Sequence, residues 1–161
     1  MLCKALNESL TLIKRPLFPA KYRASSKRYA VTLGVGGNIG DVVRRLERLS
    51  AFLKKSGRCD LVNTGPILKN PPFGYKDQAD FYNSVIMVRT NLQPKAFLKY
   101  VLEVERKFGR KRSFANAPRT LDIDMIFFED RNMSTKELTL PHPHWQERES
   151  VVIPMAYMER R

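Results

Sequence analysis

The chain is predicted to fold as an α+β domain with a β-α-β-β-α-β order, a ferredoxin-like core sheet with helices packed on it. Three observations carry this. Tyr29 to Val35 and Tyr82 to Arg89 alternate as strands, and two amphipathic stripes follow them as helices. The two middle strands are joined by Asn70-Pro71-Pro72-Phe73-Gly74-Tyr75, a loop where a doubly wound sheet would need a helix.

In order along the chain, residues 1–28 read as an N-terminal extension and residues 29–161 as the domain. Met1 to Lys27 is basic, holds Glu8 as its one acid and lacks the continuous apolar stretch of a secretory signal. It suits either an organellar leader or a short helix built on Ala5, Leu6, Ser9, Leu10 and Ile13. After the strand Tyr29 to Val35, the glycine-rich run from Gly34 to Asp41 turns into a helix. That helix has Val42, Val43, Leu46, Leu49 and Leu53 on one stripe. Gly34, Gly36 and Gly40 are spaced GxGxxxG, unlike the dinucleotide fingerprint, and no GxxxxGK[ST] run is present. A close-packed strand-to-helix turn is the expectation for them. A strand from Cys59 to about Leu68 comes next. Pro94, at a first helical position, opens a helix with Phe97, Leu98, Val101, Leu102 and Phe108 inward. The last core strand starts in Arg119-Thr120-Leu121-Asp122-Ile123-Asp124 and runs into Met125-Ile126-Phe127-Phe128.

Composition narrows the function classes. With 161 residues, 43% hydrophobic and 28% charged, the chain has ordinary globular usage and enough length for one substantial core. A net charge of +13 points to polyanionic partners: a nucleotide, a nucleic acid or an anionic membrane surface. Cys3 and Cys59 are too few for a disulfide framework and lack zinc spacing, which fits a reducing, cytoplasmic setting. No apolar run reaches transmembrane length.

Asp122 and Asp124 share one face of their strand, about 7 Å apart, while Leu121, Ile123 and Met125 share the other. Such a carboxylate pair suits a hard divalent ion such as Mg²⁺, with Arg119 just upstream to hold phosphate. The same alternation also suits the polar side of a half-buried strand. Glu105 falls on or beside the apolar stripe of its helix and needs a partner. A structural ion pair with Arg110 or Arg112 and a ligand contact are both open. The loop from Gly109 to Arg119 carries Arg110, Lys111, Arg112 and Arg119, read as phosphate ligands or as a solvated basic loop. Bidentate guanidinium chemistry next to the Asp pair favours phosphate. His142, between Pro141 and Pro143, reads on its own as a rigid-turn residue.

Taken in order, these motifs resemble the 6-hydroxymethyl-7,8-dihydropterin pyrophosphokinase family. The match runs through Pro71-Pro72-Phe73-Gly74, Asp77-Gln78-Ala79-Asp80-Phe81-Tyr82-Asn83, Glu105 with Gly109-Arg110-Lys111-Arg112, Pro118 to Asp124, Leu138 to Pro143, and Arg148. The resemblance implies a ferredoxin-like α+β fold. The implied reaction moves pyrophosphate from ATP to the hydroxymethyl group of the pterin, releasing AMP, in folate synthesis. It implies ATP as co-substrate and two Mg²⁺ ions held by Asp122 and Asp124. Arg110, Arg112 and Arg119 would act as catalytic phosphate clamps. Asn70, Pro71, Pro72, Phe73, Gly74, Phe81, Asn83 and Arg148 would line the pterin site. Glu105, Arg112, Ile123, Thr139 and His142 would fall in the ATP site.

The expected partners are small molecules, pterin and ATP, with no nucleic acid and no membrane. A monomer is expected, with a dimer as the alternative. The chain departs from the family pattern at Ser150, where an aromatic residue usually closes the second pterin face. It departs again at Asn116-Ala117, in place of Trp-Gly, and at Pro143, where a tyrosine can follow the histidine. Two other readings stand beside this one. A basic ferredoxin-like RNA-binding module lacks its stacking aromatics in Ser84-Val85-Ile86-Met87-Val88. A catalytically weakened homologue would fit the departures.

Overall fold

The computed structural model describes residues 2–111 and 113–158. The chain begins with three short strands, β1 Leu2–Ala5, β2 Thr11–Lys14 and β3 Ala20–Lys21. The core then runs β4 Tyr29–Gly37, α1 Val42–Lys55, β5 Cys59–Thr64, β6 Ile67–Asn70, β7 Phe81–Thr90, α2 Pro94–Lys107 and β8 Asp122–Phe128. It closes with β9 Met133–Ser134, β10 Thr139–Leu140, a 3₁₀ turn Trp145–Glu147 and α3 Glu149–Ala156. The main sheet is antiparallel in every pairing, in the order β1-β2-β6-β7-β4-β8, with β5 also on β7 and β3 on β5. This is a mixed α and β architecture.

The helices form where the stripes predict. Asp41 caps α1 by accepting from Arg44 N–H at 3.1 Å, and Lys54 and Lys55 complement the dipole at its end. The α1 stripe buries Val42, Leu46, Leu49 and Leu53, each worth roughly 1.5–3 kcal/mol against exposure. In α2 the buried side chains include Tyr100 and Val104, which the stripe reading leaves out, while Leu98 and Leu102 are half-buried. Both helices pack with Val31, Leu33, Val35, Ile123 and Met125 in one cluster on one face of the sheet.

Three expectations are corrected and one element is new. The N-terminal segment is a β1–β2 hairpin, because Asn7 Oδ1 accepts from the N–H groups of Ser9 (2.9 Å) and Leu10 (2.8 Å) and turns the chain where a helix would continue. The first core strand extends past Val35 to Gly37. The strand read from Cys59 to Leu68 is two strands, broken at Gly65-Pro66, where a Cβ on Gly65 would lie 2.6 Å from Pro154 O. The C-terminal α3 has no counterpart in the sequence reading; it is short, contains Pro154 and packs Val151 against Val85 and Ile126 on the sheet's other face. It covers β6 and β7 but leaves the β4 and β8 ends open. None of the helices among the described residues is long and apolar enough to cross a membrane.

Candidate active site

A cleft of about 540 Å³ opens beside α3 on this second face. Its floor is β4. Gly36 pairs across to Asn83 on β7 and Asp122 on β8, and Gly34 pairs with Val85 and Asp124. Residues directly opposite share a face, so two glycines leave a lane without side chains between Asn83 and the carboxylates. A Cβ on Gly36 would come within 1.9 Å of Asn83 Oδ1. Asn83 Nδ2 donates to Asn70 Oδ1 at 2.7 Å, fixing the amide.

Across the lane, Asp122 accepts from Arg119 Nη1 at 3.1 Å and Arg110 Nη1 at 3.4 Å, while Arg148 Nη1 stands 3.8 Å from Asp124 Oδ2. Enclosure by the cleft wall, and then the Asp122 charge, push the Asp124 carboxyl up to about 7, although 40% of its side chain stays open to the cavity. Ile123, between them, points to the core, and its N–H donates to Glu105 Oε2 at 2.9 Å. Glu105 is only 2% exposed and so fixes the backbone from below. Burial, then Arg148, lower the His142 pKa and favour a neutral ring. His142 Nδ1 accepts from His144 N–H at 3.3 Å, which leaves Nε2 as the protonated nitrogen.

The cleft gathers most of the residues read from the sequence. Asn70, Pro71, Pro72, Phe73, Phe81 and Asn83 line one side, and Arg110, Arg119, Asp122, Asp124, His142 and Arg148 the other. Arg119 lies over the Phe81 ring at 5.2 Å, and Phe73 is 75% exposed at the rim. Gly74, at φ 79°, stands just beyond the lining against Asn116. Glu105 and Ile123 lie beneath the strand, and Thr139 is exposed on β10 opposite Ser134; none of the three lines the cleft. Arg112 lies outside the described residues. The sequence reading missed Gly34 and Gly36 as the floor, because their place opposite the Asp pair depends on β4 pairing with β8. It also missed Lys76, which carries no sequence signal and whose Nζ donates to Pro72 O at 2.7 Å, and it named Asn116 only as a departure from the family pattern.

A model of the family described as 7,8-dihydro-6-hydroxymethylpterin-pyrophosphokinase (HPPK) matches residues 32–160. Similar proteins named 2-amino-4-hydroxy-6-hydroxymethyldihydropteridine pyrophosphokinase occur in several bacteria. That of Helicobacter pylori is 41% identical over 131 residues, 80% of each chain. That of Campylobacter jejuni is 39% identical over 140 residues, 87% of this chain and 88% of the relative. That of Bacillus subtilis is 34% identical over 124 residues, 77% and 74%. With its cleft built on the matched segment, this chain belongs to the 7,8-dihydro-6-hydroxymethylpterin-pyrophosphokinase family.

Proposed function

We propose that this chain transfers the pyrophosphoryl group of ATP to the hydroxymethyl oxygen of 6-hydroxymethyl-7,8-dihydropterin, releasing AMP, as a step of folate biosynthesis. The observation that carries the reading is the glycine lane, with Asn83 on one side and the Asp122 and Asp124 carboxylates, ringed by Arg110, Arg119 and Arg148, on the other. One side can hydrogen-bond a flat heterocycle and the other can hold polyphosphate.

Asn83 bonds the pterin, Phe81 and Phe73 lie against its ring, and the Asn70 to Gly74 backbone reads its edge. Arg110, Arg112 and Arg119 clamp phosphates, and Arg148 stands near both substrates. His142 offers Nε2–H to the nucleotide, while Glu105 serves through the Ile123 amide. Ile123 and Thr139 carry their nucleotide assignment on the resemblance alone.

Two recessed carboxylates on one rigid strand supply hard oxygen donors. Among the described residues no cluster of three or more His, Cys, Asp or Glu forms a complete protein cage. That donor set fits Mg²⁺, which takes few carboxylates and completes its shell with water and phosphate. When bound, two Mg²⁺ ions would neutralise phosphate charge as the bond to AMP breaks. The chain's own part is to place the pterin oxygen in line with the β-phosphorus, to hold the oxygens with guanidinium groups and to fix both carboxylates on β8.

The strand order β8-β4-β7-β5, with α1 and α2 in one cluster, supports reading the core as ferredoxin-like. Residues 29–161 are taken as the catalytic domain, with residues 1–28 as an extension that continues its sheet. A working monomer, with a dimer as the alternative, is carried over from the sequence. Two unpaired cysteines support a cytoplasmic setting. An RNA-reading sheet face would have to be open, and α3 covers much of it.

The test is to supply reduced hydroxymethylpterin, ATP and Mg²⁺ and to look for the pterin pyrophosphate by mass. Asp124→Ala should lower its rate about a hundredfold or more with circular dichroism unchanged. A folded parent that forms no product, or an Asp124→Ala variant with full turnover, contradicts the reading.

A further inference from the structure

Asn38 lies in the turn between β4 and α1, only 8% exposed, and belongs to neither side of the cleft. Its bonds reach both. Asn38 Oδ1 accepts from Arg119 N–H at 2.9 Å, and Asn38 N–H donates to Arg119 O at 2.9 Å, so the arginine loop is held by a two-way bridge. Asn38 Nδ2 donates to Gln78 Oε1 at 2.8 Å and to Ala79 O at 2.9 Å, in the loop that follows Phe73. Gln78 Nε2 in turn donates to Asn116 O at 2.8 Å, back in the arginine loop. Backbone groups at Arg119 and Ala79 fix which end of the Asn38 amide points where, because an N–H must face an acceptor and a C=O a donor. Gly37 makes the approach possible, since a Cβ there would stand 2.5 Å from Thr120 O.

A buried amide spending both donors and its acceptor on two separate loops does more than finish a turn. We infer that Asn38 is a positioning residue that sets the pterin-side loop and the arginine loop as one unit, so that occupancy of one substrate site favours the other. This rests on the functional reading above. It places the coupling in a side chain that touches neither substrate.

The chemistry separates the two tethers. Asn38→Ala removes both side-chain tethers. Asn38→Asp keeps an acceptor for Arg119 N–H but turns an oxygen toward Gln78 Oε1 and Ala79 O, so the pterin-side tether alone is lost.

Calorimetry with a non-hydrolysable ATP analogue and Mg²⁺, with and without the pterin, reads the coupling as a ratio of affinities. For the parent the ratio should be about fivefold or more. In both variants it should fall close to one while the protein stays folded, and Asn38→Asp should bind the analogue alone as the parent does. A parent ratio near one, or a ratio preserved in folded Asn38→Ala, overturns the inference. If Asn38→Ala does not fold, Asn38→Asp and Gln78→Ala decide it by the same ratio. Product formation by the parent is scored separately, so failure of the coupling and failure of the assigned reaction remain distinct.

Discussion

Asp122 and Asp124 stand on one face of one strand, so their charges repel, and what relieves the repulsion is cationic: Arg110, Arg119 and Arg148 on the protein side. The sequence made this pair legible because a period of two is robust to small errors in strand ends. It did not reveal how the pair is charged, which depends on walls supplied by distant segments. Asp124 is raised from 3.8 to about 7, so between those values the native state holds a proton that the unfolded state has lost. Stability from this group is therefore greatest at low pH and declines as pH rises through that window. For the metal-free protein, thermal unfolding compared at about pH 5.5 and about pH 8 should show this decline, and Asp124→Asn should show less of it. Equal responses in the two proteins would mean that Asp124 titrates normally. Glu105 was legible as an inward acid in need of a partner; that its partner includes the Ile123 amide, 18 positions along the chain, was not.

Single elements of the fold have consequences for the cleft. Leu12 on β2, Leu68 on β6, Asn83, Gly36 and Asp122 are successive partners in one row across the sheet. The hairpin thus continues the row that carries the site. Leu12, 1% exposed, packs with Leu10, Leu68 and α3's Ile153. Leu12→Ala should cost about 2–4 kcal/mol of unfolding free energy, measured by denaturant titration, through the cavity it leaves. A loss under about 0.5 kcal/mol would show that the hairpin is not part of the cooperative fold.

Gly36→Ala acts differently. Its Cβ would meet Asn83 Oδ1, so Asn83 must move. Calorimetry should find pterin binding weakened at least about fivefold, about 1–3 kcal/mol for a displaced polar contact, with nucleotide binding less affected. Unchanged pterin affinity would remove Asn83 from the pterin site. The hairpin was hidden in the sequence because Leu6, Leu10 and Ile13 suit a helical stripe as well as strands, and only the Asn7 turn decides between them. Helix α3 was hidden because Pro154 breaks the usual helix signal, while its apolar side chains take their order from contact with Val85 and Ile126.

At the scale of the molecule, segments well separated in sequence meet at the cleft: the loop after β6, the arginine loop with β8, and the turn before α3. Family membership was legible because their motifs keep a fixed order along the chain, whereas the glycine floor and the Asn38 tethers depend on which strands pair. The large positive charge concerns the partner as a whole, since a basic surface attracts a polyanionic nucleotide. The central claim is which bond of that nucleotide breaks. ATP labelled at the β-phosphorus, incubated with the protein, Mg²⁺ and 6-hydroxymethyl-7,8-dihydropterin, separates the outcomes by ion exchange. The account predicts label in the pterin product and unlabelled AMP released in step with it. Label appearing in ADP, with none on the pterin, would contradict it.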